Sequence, residues 1–235
     1  MATNAALPYF DPRQVPVIGT GAHLPLIPAD RLTPQALRQR FDAPPLWEPE
    51  VVRETSFSQR ERANASVLLP LVMRDELTVL LTQRTLHLST HAGQIAFPGG
   101  KADAEDADEV ATALRETHEE VGLAPEFVHV IGTLPHYITG THFVISPVVG
   151  LVEPDFKLTI NAHEVALAFE VPLAFLMNPA NHNEHAFEWQ GAQRRWFSMP
   201  YPTQTAADST EDPLDHFIWG ATAGMLRNFY RFLSA

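Results

Sequence analysis

Short apolar runs separated by turn signals fill the chain from residue 66 onward, and they predict a series of strands. Val67 to Met73 and Leu77 to Arg84 are strand-length apolar stretches on either side of a charged turn, which is the pattern of a hairpin. Phe127 to Tyr137 and His142 to Val152 are two more predicted strands, with a glycine in the turn between them. Shorter predicted strands cover residues 184–190, 194–199 and 215–219.

Three segments carry helix signals. Pro34 to Arg40 has a threonine as N-cap and a proline in the first helical position. Ala107 to Val121 has Asp106 as a candidate N-cap and Gly122 as a C-terminal stop, and Ala221 to Leu233 forms a closing helix. Because strands outnumber helices and the two are mixed, we expect an α+β fold, an α/β/α sandwich with a mixed sheet between helices.

The first 60 residues differ from the rest of the chain. Prolines crowd positions 8–49 and strong periodicity is missing. We therefore interpret residues 1–60 as an N-terminal extension and residues 61–235 as one domain, which suits a chain of 235 residues. The extension either packs on the domain or helps to form a homodimer, or else it is a partly ordered arm.

Composition narrows the function classes. Apolar residues make up 45% of the chain, enough for a sizeable core, while 16 basic against 28 acidic residues give a net charge of -12. Such a chain is a poor partner for nucleic acids and anionic membranes. The absence of cysteine excludes disulfides, thiolate metal sites and a cysteine nucleophile. Without a signal-like N-terminus or an apolar run near the ~20 residues that cross a bilayer, a cytoplasmic protein is expected.

The predicted helix at residues 107–121 carries the strongest chemical signal. Glu116, Glu119 and Glu120 fall on one arc about 100° wide, where like charges repel each other. A divalent cation would reverse that cost, and an all-oxygen ligand set suits Mg²⁺ or Mn²⁺. The alternative is a solvated acidic face. The glycine-rich turn at residues 97–101 favours a metal–phosphate site, because glycines let the backbone approach a ligand closely.

Residues 100–123 resemble the Nudix box, G-x5-E-x7-R-E-U-x-E-E-x-G-U, where U is apolar. Arg115, the three glutamates and the closing glycine match the pattern. Asp106 stands in the first glutamate position, and the box is one residue longer than usual. The resemblance implies a Nudix fold and a metal-dependent diphosphatase.

A second resemblance lies directly upstream. Residues 80–85 and 93–100 are similar to the coenzyme A diphosphatase signature, LLTxRSx3Rx3Gx3FPGG. Two positions depart from it: Thr85 replaces serine and keeps the hydroxyl, whereas Ser89 stands where the signature has a basic residue. If that cation binds an anionic part of the substrate, such as the 3′-phosphate of coenzyme A, then Ser89 indicates weaker binding or another substrate.

The resemblance implies a role for particular residues, with Mg²⁺ or Mn²⁺ as the cofactor. The general base is either Glu116 or Glu164, which falls where several Nudix members place a late glutamate. The implied metal ligands are Glu116, Glu119, Glu120 and the carbonyl of Gly100; the implied catalytic residues are Glu116, Glu120, Arg115 and Glu164; the implied substrate-binding residues are Arg84, Gly93, Phe97 and Gly99.

The expected reaction is hydrolysis of coenzyme A, or a derivative, to 3′,5′-ADP and 4′-phosphopantetheine. One alternative is a Nudix hydrolase of NADH, ADP-ribose or a nucleoside triphosphate, and another is a non-catalytic nucleotide-binding Nudix domain. The second is disfavoured because the box glutamates are intact. Eleven histidines suggest zinc, but His182 and His185 follow a Pro/Asn-rich stretch and are interpreted as a surface loop, and His118 is expected to face solvent.

Overall fold

The computed structural model describes residues 11–56, 61–88, 91–189, 192–202 and 216–235. Within those ranges the chain forms twelve strands and four α-helices. The strands are β1 (Val17–Thr20), β2 (Ala63–Met73), β3 (Leu77–Arg84), β4 (Ile95–Ala96), β5 (Gly99–Lys101), β6 (Val128–Thr133), β7 (Tyr137–Ile138), β8 (Phe143–Val152), β9 (Val165–Pro172), β10 (Asn183–Trp189), β11 (Ala192–Tyr201) and β12 (His216–Trp219). The helices are α1 (Pro34–Asp42), α2 (Glu109–Val121), α3 (Leu173–Leu176) and α4 (Ala221–Ser234).

Eight strands form the main sheet. Its central order is β4-β3-β2-β8-β6, while β5, β7 and β9 pair with β2, β8 and β3. β2 and β8 are parallel, in register from Ala63 opposite Phe143 to Val72 opposite Val152. The other pairings in this sheet are antiparallel. The mixed sheet and its flanking helices confirm the predicted α+β architecture.

Alternating side chains on β2 divide the core into two layers, because successive residues of a strand point to opposite faces of the sheet. Leu68 and Val72 belong to the cluster that packs under α2. Leu69 and Leu71 belong to the larger cluster on the other face, which contains the buried side of α4. α2 and α4 therefore lie on opposite faces of the main sheet.

A second, smaller sheet has the order β1-β10-β11-β12, and the N-terminal segment packs against it and α4. Glu50 accepts a hydrogen bond from Arg227 at 2.8 Å, and Asn228 bonds the backbone of Val51 in both directions. The hydroxyl of Tyr230 donates to a carbonyl of the same segment at 2.6 Å. These contacts hold much of residues 11–56 against α4, while the division at residue 60 stays a prediction. None of the described helices is long and apolar enough to cross a membrane.

Helix α2 confirms the predicted helix with one correction at its start. Asp108, not Asp106, is the N-cap, and its carboxylate accepts from the backbone amide of Ala111 at 2.8 Å. Asp106 is engaged elsewhere, because both of its carboxylate oxygens accept hydrogen bonds from Arg115. The predicted C-terminal stop is confirmed, since Gly122 adopts the left-handed conformation with φ of 72°.

The other predicted elements are found, with two differences. The strand predicted at residues 127–137 is divided into β6 and β7, because Pro135 interrupts it. The strand β9 was not predicted, and it pairs along the whole of β3. Glu164 immediately precedes this strand.

The interpretation of His182 and His185 as surface residues is wrong. His182 is fully buried: Nε2 donates to the carbonyl of Leu176 at 2.6 Å, and Nδ1 accepts from Arg227 at 3.2 Å. Burial lowers the pKa of His182 to about 4, so the ring is neutral. His185 is also buried, and its two nitrogens bond the backbone carbonyl of Val15 and the Ser198 hydroxyl. Both histidines are satisfied core residues.

Candidate active site

Helix α2 directs two glutamates toward the glycine-rich strand β5. Glu120 is only 4% exposed, and its carboxylate accepts a hydrogen bond from the backbone amide of Gly99 at 3.1 Å. The guanidinium of Arg84 lies 3.6 Å from the same carboxylate. Glu116 is half-buried one helical turn earlier, and its carboxylate lies so close to Gly100 that a Cβ at that position would collide with it. Glycine at position 100 is therefore required for this close approach.

Burial changes the acidity of these two carboxyls. It raises the pKa of Glu120 to about 7, and the opposing effects of the Gly99 amide and Arg84 do not restore the ordinary value. Burial also raises the pKa of Glu116, against the lowering effect of Arg115. The negative charge of Glu164 contributes to both shifts. The two glutamates thus lie in a site with too little positive charge to keep both ionised at low cost.

Arg115 pairs with carboxylates on α2 and in the loop before it, and Glu116 is shared between this set and the glycine-rich strand. Arg115 donates to both oxygens of Asp106 at 2.8 and 2.9 Å, to Glu116 at 3.1 Å and to Glu119 at 3.0 Å. Arg115 also donates to the carbonyl of Lys101, which ties the helix to β5. These hydrogen bonds hold the pKa of Asp106 well below its usual range. Glu119 is exposed and turned toward Arg115, four residues before it on the helix.

Oxygen donors dominate the site, which is the ligand chemistry of hard cations. The carboxylates of Glu116 and Glu120 and the backbone of Gly100 meet at one end of α2. Among the described parts of the chain, no three His, Asp or Glu side chains are already grouped at metal-ligand spacing. The donor types and the raised pKa values fit a divalent cation, with Glu116 and Glu120 as its principal candidate ligands.

A cleft of about 350 Å³ opens above this end of α2, between the main sheet, the second sheet and the start of α4. Of the eight residues predicted to bind substrate or metal, five line it, whereas Glu116, Glu119 and Gly93 lie outside the lining. The carbonyl of Gly93 accepts a hydrogen bond from Gln83 instead. Glu164 lies outside it as well, near enough to influence both glutamates. The five lining residues are Arg84, Phe97, Gly99, Gly100 and Glu120.

Four further polar or aromatic residues of the cleft escaped the sequence analysis. Lys101 follows the glycine pair, and Trp219 is the last residue of β12, just before α4. Arg194 lies on β11, and Glu54 comes from the segment before β2. Nothing in the local sequence connects Glu54 or Arg194 to α2, since only the folded chain brings these distant segments together.

Comparison with known proteins decides the family. A model of the NUDIX domain matches residues 62–210, which include the whole of α2 and the glycine-rich turn. The chain belongs to the Nudix family. Its relatives include the uncharacterized Nudix hydrolase NudL of Enterobacter sp. (strain 638), 39% identical over 166 residues that cover 71% of this chain and 80% of the relative.

A second Nudix relative is the uncharacterized Nudix hydrolase NudL of Escherichia coli (strain K12). It is 38% identical over 182 residues, which cover 77% of this chain and 86% of that protein. Among solved structures, the Nudix hydrolase RenU of M. Smegmatis is 24% identical, covers 51% of this chain and 79% of its own, and gives a TM-score of 0.42.

The family assignment confirms the coarser part of the predictions. The chain is a Nudix hydrolase, an enzyme that acts on nucleoside-diphosphate-linked substrates. Enzymes of this family generally use divalent metal ions such as Mg²⁺ or Mn²⁺. Of the box glutamates, Glu120 lines the cleft, Glu116 lies beside Gly100, and Glu119 is paired with Arg115.

Proposed function

We propose that this Nudix hydrolase cleaves the diphosphate bond of coenzyme A or its derivatives, giving 3′,5′-ADP and (acyl-)4′-phosphopantetheine. The observation that supports this substrate is the position of the two coenzyme A-like segments, residues 80–85 and 93–100. They form β3, β4 and β5 and reach the box helix directly. Arg84 of the first segment and Gly99 of the second both contact the carboxylate of Glu120.

A divalent cation, Mg²⁺ or Mn²⁺, belongs at this contact. Glu116 and Glu120 hold it in our proposal, with the carbonyl of Gly100 as a further ligand and Glu119 acting directly or through water. When bound, the ion screens the diphosphate and lowers the pKa of an attacking water. Its charge also compensates the burial that raises the pKa of Glu120 to about 7.

Arg84 is well placed to bind a phosphate oxygen. Its guanidinium lies in the cleft beside Glu120, and its buried Nε has no hydrogen-bond partner in the described structure. A buried donor without a partner costs free energy that an anionic ligand recovers. We assign to Arg84 the orientation of the scissile diphosphate relative to α2.

Glu164 is the proposed general base. Its Oε1 accepts a hydrogen bond from the side-chain amide of Asn161 at 3.1 Å, which fixes the carboxylate while Oε2 accepts the proton of the attacking water. Its charge influences Glu116 and Glu120, so it lies near the place where water would be activated. Glu116 is the alternative base, and the variant Glu164→Gln separates the two by its effect on kcat.

The apolar lining of the cleft suits the pantetheine arm. Ile95, Phe97, Ile145 and Met225 line it, together with the partly buried Phe143. Such a wall excludes water and binds an alkyl amide chain through apolar contact. The signature has a cation at the position of Ser89, and because this chain lacks that cation, another diphosphate substrate is the second candidate. Ser89 lies outside the described residues.

The direct test is a turnover assay with Mg²⁺ and with Mn²⁺ on coenzyme A, dephospho-coenzyme A, NADH and ADP-ribose, with the products identified by mass. We expect the highest kcat/KM on coenzyme A and the release of 3′,5′-ADP. Preference for NADH or ADP-ribose, with coenzyme A left intact, would overturn the proposed substrate and leave the Nudix assignment unchanged.

A further inference from the structure

The cleft continues well beyond the metal end. Ser66 of β2 is in register with Gly100 on one side, and Ala63 is in register with Phe143 on the other. Three residues of strand separate the two levels, or roughly 10 Å. The cleft residues around Phe143 therefore lie about one sugar-phosphate unit away from the end that holds Glu120.

The far end is built on a fixed carboxylate. Glu54 accepts a hydrogen bond from the hydroxyl of Tyr137 at 2.9 Å through one oxygen, and from the backbone amide of Gly140 at 2.8 Å through the other. Its own backbone amide donates to Ile138, which adds this segment to the edge of β7. Both oxygens of Glu54 are thus engaged within the protein, which limits its freedom to turn toward a ligand.

Arg194 supplies the positive charge at this end. It is half-buried and lines the cleft, and it shares a face of the second sheet with Ser198 because residues two and four apart on a strand point the same way. Trp219 is opposite Ser198 in the register, so its ring lies on that face as well. Arg194 and Trp219 together form the wall of the cleft opposite the main sheet.

Partial burial of the charged guanidinium of Arg194 costs desolvation free energy. Burial lowers the pKa of Arg194, and the nearby charge of Glu54 offsets only part of that effect. The chain has 16 basic residues and a net charge of -12. Three of those basic residues, Arg84, Lys101 and Arg194, line this one cleft. The cleft also contains the carboxylates of Glu54 and of Glu120, which pairs with Arg84, so its lining has one more cation than carboxylates. This excess fits one additional anionic group on the ligand.

We propose that Arg194 binds a phosphomonoester of the substrate that lies beyond the scissile diphosphate, and so selects nucleoside diphosphates that carry this third phosphate. The inference rests on the proposed function, where that group is the 3′-phosphate of coenzyme A. Arg194 then supplies a cation to the cleft, while the signature's basic position is occupied by Ser89 in this chain. It is a binding residue, distant from the reacting phosphorus.

The first test is equilibrium binding, which needs no turnover. Adenosine 3′,5′-bisphosphate and adenosine 5′-monophosphate are titrated by calorimetry into the Mg²⁺-loaded protein. We expect the wild type to bind the bisphosphate about tenfold more tightly or better, as a charge-assisted hydrogen bond supplies. Arg194→Gln should reduce the difference below about twofold, and Arg194→Lys should restore part of it.

Arg195→Gln is the matched control, because Arg195 is exposed, points to the opposite face and pairs with Glu184. It should retain the wild-type discrimination. Equal binding of both nucleotides by the wild type, or discrimination that persists in Arg194→Gln, would overturn the proposal. Either result would fit instead a site that holds the base through Trp219 and Glu54 without binding the extra phosphate.

The second test separates this inference from the proposed function. In the turnover assay, Arg194→Gln should lower kcat/KM for coenzyme A by about tenfold or more and change that for dephospho-coenzyme A by less than about twofold. An equal loss on both substrates would contradict the role of Arg194. If the wild type does not cleave coenzyme A but still discriminates in binding, the proposed function fails and the assignment of Arg194 stands.

Discussion

Two groups of carboxylates lie on helix α2 and in the loop before it, and they differ in how their charge is balanced. Asp106 and Glu119 are held by Arg115, and the pKa of Asp106 is well below its usual range. Glu116 and Glu120 face the glycine-rich strand, and burial raises the pKa of both. The first group needs nothing more from its surroundings, whereas the second group is stable as a pair of anions only with additional positive charge.

The difference indicates that neighbouring carboxylates of one motif have two different roles, one structural and one in ligand binding. The carboxylates around Arg115 fasten α2 to the loop and strand before it, through Asp106 and the carbonyl of Lys101. The carboxylates near Gly99 and Gly100 are left for a ligand that the fold itself does not supply. A divalent cation is that ligand in our account, and each prediction below weakens one side of the contrast.

The largest effect is expected for Glu120→Gln. Loss of this carboxylate removes a principal cation ligand, so kcat should fall by about a thousandfold in the presence of Mg²⁺. The melting temperature should stay the same or rise, because a buried charge is replaced by a neutral amide. Steady-state turnover and thermal unfolding followed by circular dichroism measure the two effects. Activity close to that of the wild type would mean that Glu120 is not a metal ligand.

The second effect concerns pH. The pKa of Glu120 is about 7 in the folded protein against an ordinary value of 4.5, so the metal-free protein should lose stability as pH rises through this range, by at most about 3 kcal/mol. Added Mg²⁺ should stabilise the protein more at pH 8 than at pH 5.5, since only the ionised carboxyl binds the cation.

His182 makes the stability of the protein depend on pH in the opposite sense. Because its pKa is lowered to about 4, its neutral ring stabilises the folded protein above about pH 6.5, and this contribution is lost as pH falls. The contribution of Glu120 is therefore obtained as the difference in unfolding free energy between wild type and Glu120→Gln at each pH. A difference that does not change from pH 4.5 to 8 would show that the carboxyl of Glu120 titrates normally.

Arg115→Gln should have an intermediate effect. The change leaves Asp106 without its main partner and frees Glu116 from the contact that orients it. We expect the melting temperature to fall by a few degrees and the apparent Mg²⁺ affinity by about tenfold. Thermal unfolding and a Mg²⁺ titration of the activity measure both. Unchanged metal affinity together with reduced stability would restrict Arg115 to a purely structural role.

The smallest effect is expected for Glu119→Gln. This carboxylate is 55% exposed and already pairs with Arg115, so its removal should lower kcat by less than about tenfold. The same assay as for Glu120→Gln gives the comparison under matched conditions. Equal losses in the two variants would contradict the contrast between the exposed carboxylate held by Arg115 and the buried carboxylate beside Gly99.

Local patterns were sufficient to predict most elements of the fold. Capping residues and apolar periodicity gave α1, α2 and α4, since those signals lie within a few residues of each helix end. They failed where two similar residues compete, because Asp106 and Asp108 are both good caps. Asp106 is held instead by hydrogen bonds from Arg115, Thr112 and the backbone amide of Asp103. The strand β9 was missed because its pairing with β3 depends on residues far away in the chain.

The site divides in the same way. Its motif residues could be predicted because the glutamates share one helix and the glycines immediately precede it. Arg194 and Glu54 could not, since β11 and the segment before β2 meet at the cleft only through long-range packing. The buried histidines were wrongly predicted to lie on the surface, because the residues next to His182 in the sequence are polar. Its buried contacts, such as the carbonyl of Leu176, could not be predicted from that local pattern.

The most direct test of the account is a titration of the metal-free protein with Mn²⁺ at pH 8, followed by electron paramagnetic resonance of the free ion. We expect the wild type and Glu119→Gln to bind Mn²⁺ with affinities within about tenfold of each other, and Glu120→Gln to lose the tightest site. Binding by Glu120→Gln equal to that of the wild type would contradict the claim that the buried carboxylates of α2 form the metal centre.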